Sequence, residues 1–221
     1  MNSNPIHRSG RAFRWLGTEL MKRSSADGVW VDVGTCRGET TLAHARHNPN
    51  LRVFAFEPNL RLASKLIGGA ANYLVIPMAV AEQDGTATFY VNEFEMAGSL
   101  LPLNDEALRT WVGVQNHKVQ RAVTVPTIRL DTFMDLVGID RIDFLKIDAQ
   151  GMDLSVAKSA GKRLGDIARI TVEVAVASVP LYKGAPSKDE VLNFFKDAGF
   201  ALARTDSQTH GQEENLTFVR N

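Results

Sequence analysis

Short apolar runs rich in β-branched residues recur along the chain, and most of them break into a polar or glycine-bearing step and then a helical pattern. The clearest are VWVDV at 29–33, LRVFAFE at 51–57, IDFLKI at 142–147 and the run at 167–176. Near-continuous apolar strands are buried on both faces, and alternation with helices builds a parallel sheet covered on each side. Helices are expected at 39–46, 59–67, 130–137, 154–160 and 187–198. The last is capped by Ser187, with Glu190 placed for a capping box. Segments 73–81, 87–91 and 119–127 add extended pieces. Strands at 201–205 and 216–220 flank the polar loop DSQTHGQEEN and read as an antiparallel hairpin. The fold class is α/β.

Composition bounds what such a sheet can serve. With 44% hydrophobic and 23% charged residues over 221 positions, the chain suits one domain with a full core. That domain is expected at 26–221, after a lead-in of residues 1–25 with an amphipathic helix at 13–23. Lys+Arg and Asp+Glu both number 25, so no net field draws the protein to nucleic acid or an anionic membrane. A single cysteine, Cys36, excludes an intramolecular disulfide and a cysteine zinc site, and fits a reducing compartment. No apolar run is long enough to span a bilayer, and the lead-in lacks the apolar core of a signal peptide. These features predict a cytoplasmic protein.

In a doubly wound sheet, ligands sit beyond the carboxyl ends of the strands, where the strand order reverses. The residues after each strand are therefore the candidates. DVGTCRG places Asp32, Gly34, Thr35 and Gly38 in a strand-to-helix turn, where glycine lets backbone approach a ligand and the helix start favours an anionic group. Glu57 ends the second strand, where a carboxylate can accept both ribose hydroxyls of a nucleoside. Met78, Ala79 and Val80 offer a small apolar slot for a flat base. Lys146 and Asp148 alternate with Leu145 and Ile147, so both project to one face at the end of a later strand. A buried lysine there needs a partner.

These segments together resemble the FkbM family of S-adenosylmethionine-dependent methyltransferases. The matching pieces are VDVGTCRGETT, FAFEPN, MAVAEQDGTATFYV, GSL at 98–100, VPTIRLDTF, IDFLKIDAQGMDLSVAKSAG, ITVEV and NLTFVR. They cover most of the chain from Val29 onward, in the family's order. The sequence departs from the family pattern at Thr35 and Cys36, where alanine and asparagine are common. It departs again at Gln150 and GMD, where glutamate and GAE are common. The resemblance implies a class I methyltransferase fold, Rossmann-like, with a seven-stranded sheet whose last strand is antiparallel. It implies O-methylation of a sugar or natural-product hydroxyl. Asp32, Gly34, Thr35 and Gly38 would surround the methionine part of the cofactor, Glu57 the ribose, and Ala79 and Val80 the adenine. Lys146 and Asp148 would face the methyl group and the acceptor.

Transfer from a sulfonium to oxygen is an in-line displacement on an activated carbon, so alignment is the main task. The hydroxyl proton must go to a base, or a divalent metal must lower its pKa. Asp148 is the first candidate for base or metal ligand, and Glu173, on the neighbouring strand, the second. Two carboxylates at adjacent strand ends suit a hard cation such as Mg2+. Of the five histidines, His210 in the polar loop is placed among the catalytic candidates, and His117 follows it. His7, His44 and His47 are expected to be solvated. The irregular segment 92–118 is expected to be an acceptor-side insert, with Ser99 and Leu100 lining the pocket. Its Trp111 is read either as a sugar platform or as a buried anchor. The expected partner is a small-molecule or saccharide acceptor, with a homo-oligomer possible.

Three other readings compete. A nicotinamide-dependent oxidoreductase would also use a glycine turn and an acid after the second strand, but G-x-G-x-x-G is missing. A nucleic-acid methyltransferase would want a basic face. A catalytically inactive cofactor-binding module would keep the fold alone.

Overall fold

The computed structural model describes residues 28–114 and 117–221, so the expected helix at 13–23 and His7 lie outside the described residues. The chain runs β1 (Gly28–Val33), α1 (Leu42–His47), β2 (Leu51–Phe56), α2 (Leu60–Leu66), β3 (Tyr73–Ile76), β4 (Ala79–Val80) and β5 (Gly85–Asn92). It continues through α3 (Ala107–Thr110), β6 (Val119–Ile128), α4 (Leu130–Val137), β7 (Phe144–Ile147), α5 (Asp153–Lys158) and β8 (Arg169–Ala175). It closes with α6 (Lys188–Asp197), β9 (Phe200–Gln208) and β10 (Glu213–Arg220). A seven-stranded sheet has the order β3-β2-β1-β7-β8-β10-β9. The pairs β1–β2, β2–β3, β1–β7 and β7–β8 are parallel, and β10 is antiparallel to both of its neighbours. Strand order reverses between β1 and β7, the place where a doubly wound sheet opens a crevice.

Alternate residues of each central strand feed opposite layers. Phe54 and Phe56 point into the larger core, where both meet Phe133 of α4 edge-on at 5.2 and 4.9 Å. Val53 and Ala55 point the other way, to Leu42, Ala45 and Leu66 of the helices on the opposite face. The larger core continues along Leu145, Ile147, Ile170, Val172 and Leu216, all fully buried. It ends at α6, where Phe195 stacks on Phe218 at 4.3 Å. The Ser187–Glu190 capping box forms as expected and fixes the start of that helix.

The segment at 73–81 divides where one strand was expected. Pro77 has no N–H to give the ladder, so β3 stops at Ile76. Ala79 and Val80 then pair with Thr127 and Ile128 in a second, three-stranded sheet of order β4-β6-β5. In that sheet β5 and β6 form a long antiparallel ladder. The first helix also starts later than expected, at Leu42, because the turn after β1 continues as far as Thr41.

Candidate active site

The site begins where β1 ends. Gly34 has φ +74°, and a Cβ there would lie 1.9 Å from the carbonyl oxygen of Asp148 on the adjacent strand end. Only glycine allows the two chain segments to pass this closely. The N–H groups of Gly34 and Thr35 both donate to the Phe56 carbonyl, at 3.0 and 3.1 Å. Glu57 completes the link: its Oε2 accepts from the Cys36 N–H at 2.9 Å and its Oε1 from the Asn59 N–H at 2.8 Å. Burial pushes this carboxyl up to about 7 in spite of the two N–H bonds. The Cys36 thiol is pushed up to about 11 by burial, with Glu39 and Glu57 adding to it, which leaves it a neutral filler.

Behind the bend lies a buried polar knot. Asp32 is 1% exposed and accepts from the hydroxyls of Thr35 and Thr41 at 2.9 and 2.5 Å. The Tyr73 hydroxyl joins both threonines, at 2.5 and 3.2 Å. Lys146 sits beside Asp32 in register on β7. Its Nζ lies 3.3 Å from both Asp32 Oδ1 and Asp148 Oδ2, and donates to the Gly34 carbonyl at 3.1 Å. Burial pushes its pKa down, but Asp148 and Asp32 outweigh it and hold the ammonium above its ordinary range.

At the end of β7 the backbone enters the left-handed region at Gln150, with φ +53°. The Gln150 Nε2 donates to Asp148 Oδ1 at 2.7 Å and to Glu173 Oε2 at 3.1 Å. The Tyr182 hydroxyl donates to Gln150 Oε1 at 2.7 Å. Asp153, 1% exposed, lies behind the pair and accepts from the N–H groups of Glu173 and Ala149 at 3.0 and 3.3 Å. Burial, and then Asp148, push Asp153 up to about 7. Burial also raises Glu173 well above the usual carboxylate range, with Asp148, Glu213 and Asp153 adding to it.

That donor set does not fit the Mg2+ considered from the sequence. The space between Asp148 and Glu173 holds an amide N–H group, a hydrogen-bond donor, where a cation would require acceptors. Among the described residues, no three His, Cys, Asp or Glu side chains converge as a metal cage.

A cleft of about 460 Å³ runs across these strand ends. Gly34, Thr35, Glu57, Ala79, Val80, Lys146, Asp148, Glu173 and His210 all line it, as do His117, Ser99 and Leu100. Asp32 and Gly38 are not among its lining residues. Asp32 instead braces Lys146 and the bend, and Gly38 makes room for Leu42 and Leu66. The 3-10 turn at Glu95–Ala97 also lines the cleft, and Glu95 ties it to the loop after β1 and to α2. The Glu95 carboxylate pairs with Arg37 at 3.0 Å, with Lys65 at 3.7 Å and with Arg61. Trp111 is 4% exposed and donates from Nε1 to the Val179 carbonyl at 2.7 Å, so it is a buried anchor and not a platform. His44 and His47 are exposed on α1, as expected. Tyr73, Tyr182, Glu95 and Glu213 escaped sequence reasoning, since none follows an apolar run in a recognisable motif.

The family model of the methyltransferase FkbM domain matches residues 32–202, most of the chain and the whole span from Asp32 through the start of β9. The chain belongs to the FkbM methyltransferase family. A curated relative of this FkbM chain is the 2-O-methyltransferase NoeI of Sinorhizobium fredii (strain NBRC 101917 / NGR234), 25% identical over 141 residues. That match covers 59% of this chain and 56% of the relative, so the chain spans little more than half the length of the curated protein. Among solved structures, a chain of a fibrillarin/Nop5p complex matches with a TM-score of 0.50 at 11% identity, covering 94% of this chain and 81% of that one. The magnesium protoporphyrin IX methyltransferase of Synechocystis PCC 6803 with bound SAM matches with a TM-score of 0.47 at 11% identity, covering 96% and 79%. The fold of this FkbM chain is the class I methyltransferase fold, with its antiparallel strand β10.

Proposed function

We propose that this chain transfers the methyl group of S-adenosylmethionine to a hydroxyl of a small-molecule or saccharide acceptor. One observation carries the reading. A single cleft runs from Glu57, past the Gly34 bend, to Asp148 and Glu173. That order matches a ligand with a ribose at one end and a reacting carbon at the other. The FkbM domain match supports methyl transfer, and the relative named as a 2-O-methyltransferase supports oxygen as the acceptor atom.

In this reading Glu57 accepts from the ribose hydroxyls, and Met78, Ala79 and Val80 flank the base. Gly34 and Thr35 shape the wall beside the methionine part. Bound S-adenosylmethionine would supply a methyl group activated on its sulfonium, which the acceptor oxygen would take as the carbon–sulfur electron pair stays on sulfur in the thioether product. The proton passes to Asp148, which Lys146 and Gln150 hold in place. His210, exposed and lining the same cleft beside Gly113, is the second residue positioned to take it. Segment 92–118 contributes the acceptor-side wall through Ser99, Leu100 and the turn at Glu95–Ala97.

The test is incubation of the purified chain with methyl-labelled cofactor and a panel of saccharides and hydroxylated small molecules. Label is expected in a base-stable ether. A protein that is stabilised by NAD and indifferent to S-adenosylhomocysteine would overturn the proposal in favour of hydride chemistry. Stabilisation by S-adenosylhomocysteine with no transfer to any acceptor would leave a binding module.

A further inference from the structure

We infer that Gln150 is a positioning residue that holds the Asp148 and Glu173 carboxyls as two hydrogen-bond acceptors without a metal, its amide standing where a divalent cation would otherwise join them. The inference rests on the methyl-transfer reading of the same cleft. A carboxamide carries two N–H donors on one nitrogen and no charge. Gln150 spends them on Asp148 Oδ1, at 2.7 Å, and Glu173 Oε2, at 3.1 Å. Its orientation is fixed from behind, because Tyr182 donates to Oε1 at 2.7 Å. A flipped amide would set its oxygen against the carboxyl oxygens of Asp148 and Glu173 and leave both without this donor. The backbone is fixed as well. The Ser99 hydroxyl donates to the Gln150 carbonyl at 2.7 Å, and the left-handed turn at Gln150 is followed by Gly151 with φ +88°.

Asp148 is thus gripped on both oxygens, by Gln150 at Oδ1 and by Lys146 at Oδ2. The lone pairs left over are those an acceptor hydroxyl can use from the cleft. Lys146 is the cation beside the pair, and the carboxyls of Asp153 behind it and Glu213 on β10 both act to raise Glu173. Neutral hydrogen-bond donors between the two carboxyls keep them close without adding a second cation beside Asp148. A cation there would hold them equally well but would weaken Asp148 as a base.

Substitution tests this. Gln150→Leu removes both donors, and Gln150→Glu replaces them with acceptors, leaving three carboxylates with nothing between them. Wild-type turnover is expected to be indifferent to EDTA and to added Mg2+ or Mn2+. Gln150→Leu should lower kcat by about 100-fold, the scale of a small misplacement at a reacting centre, with KM for the cofactor unchanged. Gln150→Glu should fall similarly in EDTA and recover part of its kcat with Mn2+. An unchanged thermal shift with S-adenosylhomocysteine shows that each variant is folded. Wild-type kcat in Gln150→Leu, or wild-type activity lost in EDTA and restored by Mg2+, overturns the inference. If no acceptor is methylated by the wild type, the functional reading fails separately. Calorimetry with Mn2+ alone still decides the inference: uptake by Gln150→Glu and none by wild type supports it, and the reverse sinks it.

Discussion

Glu57 shows how a carboxylate can be reserved for a ligand. Its two oxygens already take backbone N–H groups, yet burial lifts it to about 7. Ribose hydroxyls are donors and need the ionised form. Cofactor affinity should therefore rise as pH passes upward through about 7, and calorimetric titration with S-adenosylhomocysteine at successive pH values should show it. In Glu57→Gln the pH dependence should vanish along with most of the affinity. Unliganded stability runs in the opposite sense. The proton is held up to about 7 in the folded chain and only to about 4.5 in the unfolded one. The stability contributed by this group is full below 4.5 and is lost as pH rises to about 7. Gly34 is the second decisive residue. A methyl group there meets the Asp148 carbonyl at 1.9 Å, against backbone that cannot swing aside. Gly34→Ala should cost about 2 kcal/mol or more, read from denaturant unfolding, and should abolish cofactor binding. Both residues were legible in the sequence because each directly follows an apolar strand. Gln150 was visible only as a departure from a motif. Its partner Tyr182 was invisible, because a contact across 32 positions of sequence leaves no periodic trace.

At the level of elements, the central strands and α4 and α6 could be read from periodicity and caps, and their predicted limits hold to within a few residues. The small sheet could not. A two-residue strand carries no pattern, and its separation from β3 depends on one missing N–H at Pro77. The same limit hid the turn at Glu95–Ala97, which is anchored by charge and not by an apolar stripe. Arg37, Arg61 and Lys65 converge on Glu95, and all three cations are largely exposed. Pairs of this kind contribute up to about 1 kcal/mol, which is about fivefold in binding. Glu95→Ala should raise the dissociation constant of S-adenosylhomocysteine by about that factor. Added salt should weaken cofactor binding to wild type and have little further effect on the variant.

Taken as one molecule, the chain buries its core against the seven-stranded sheet and opens its cleft at the carboxyl ends of the central strands. A ligand seated there binds the folded state alone, so it should stabilise the whole cooperative unit. At 100 times its dissociation constant, S-adenosylhomocysteine should add about 2.7 kcal/mol. For a chain of this size that is a rise in Tm of roughly 5–11 °C, measurable by scanning fluorimetry, with no rise from NAD.

The small sheet ties together two walls that serve different guests. In the proposed reading Ala79 and Val80 of β4 flank the base, and β5, two strands across, leads directly into the turn carrying Glu95. A nucleoside seated against β4 would bear on the same small sheet from which the turn at Glu95–Ala97 extends. A coupling of that kind predicts a compulsory sequence of loading, cofactor before acceptor. Product-inhibition kinetics should show S-adenosylhomocysteine competing with the cofactor alone.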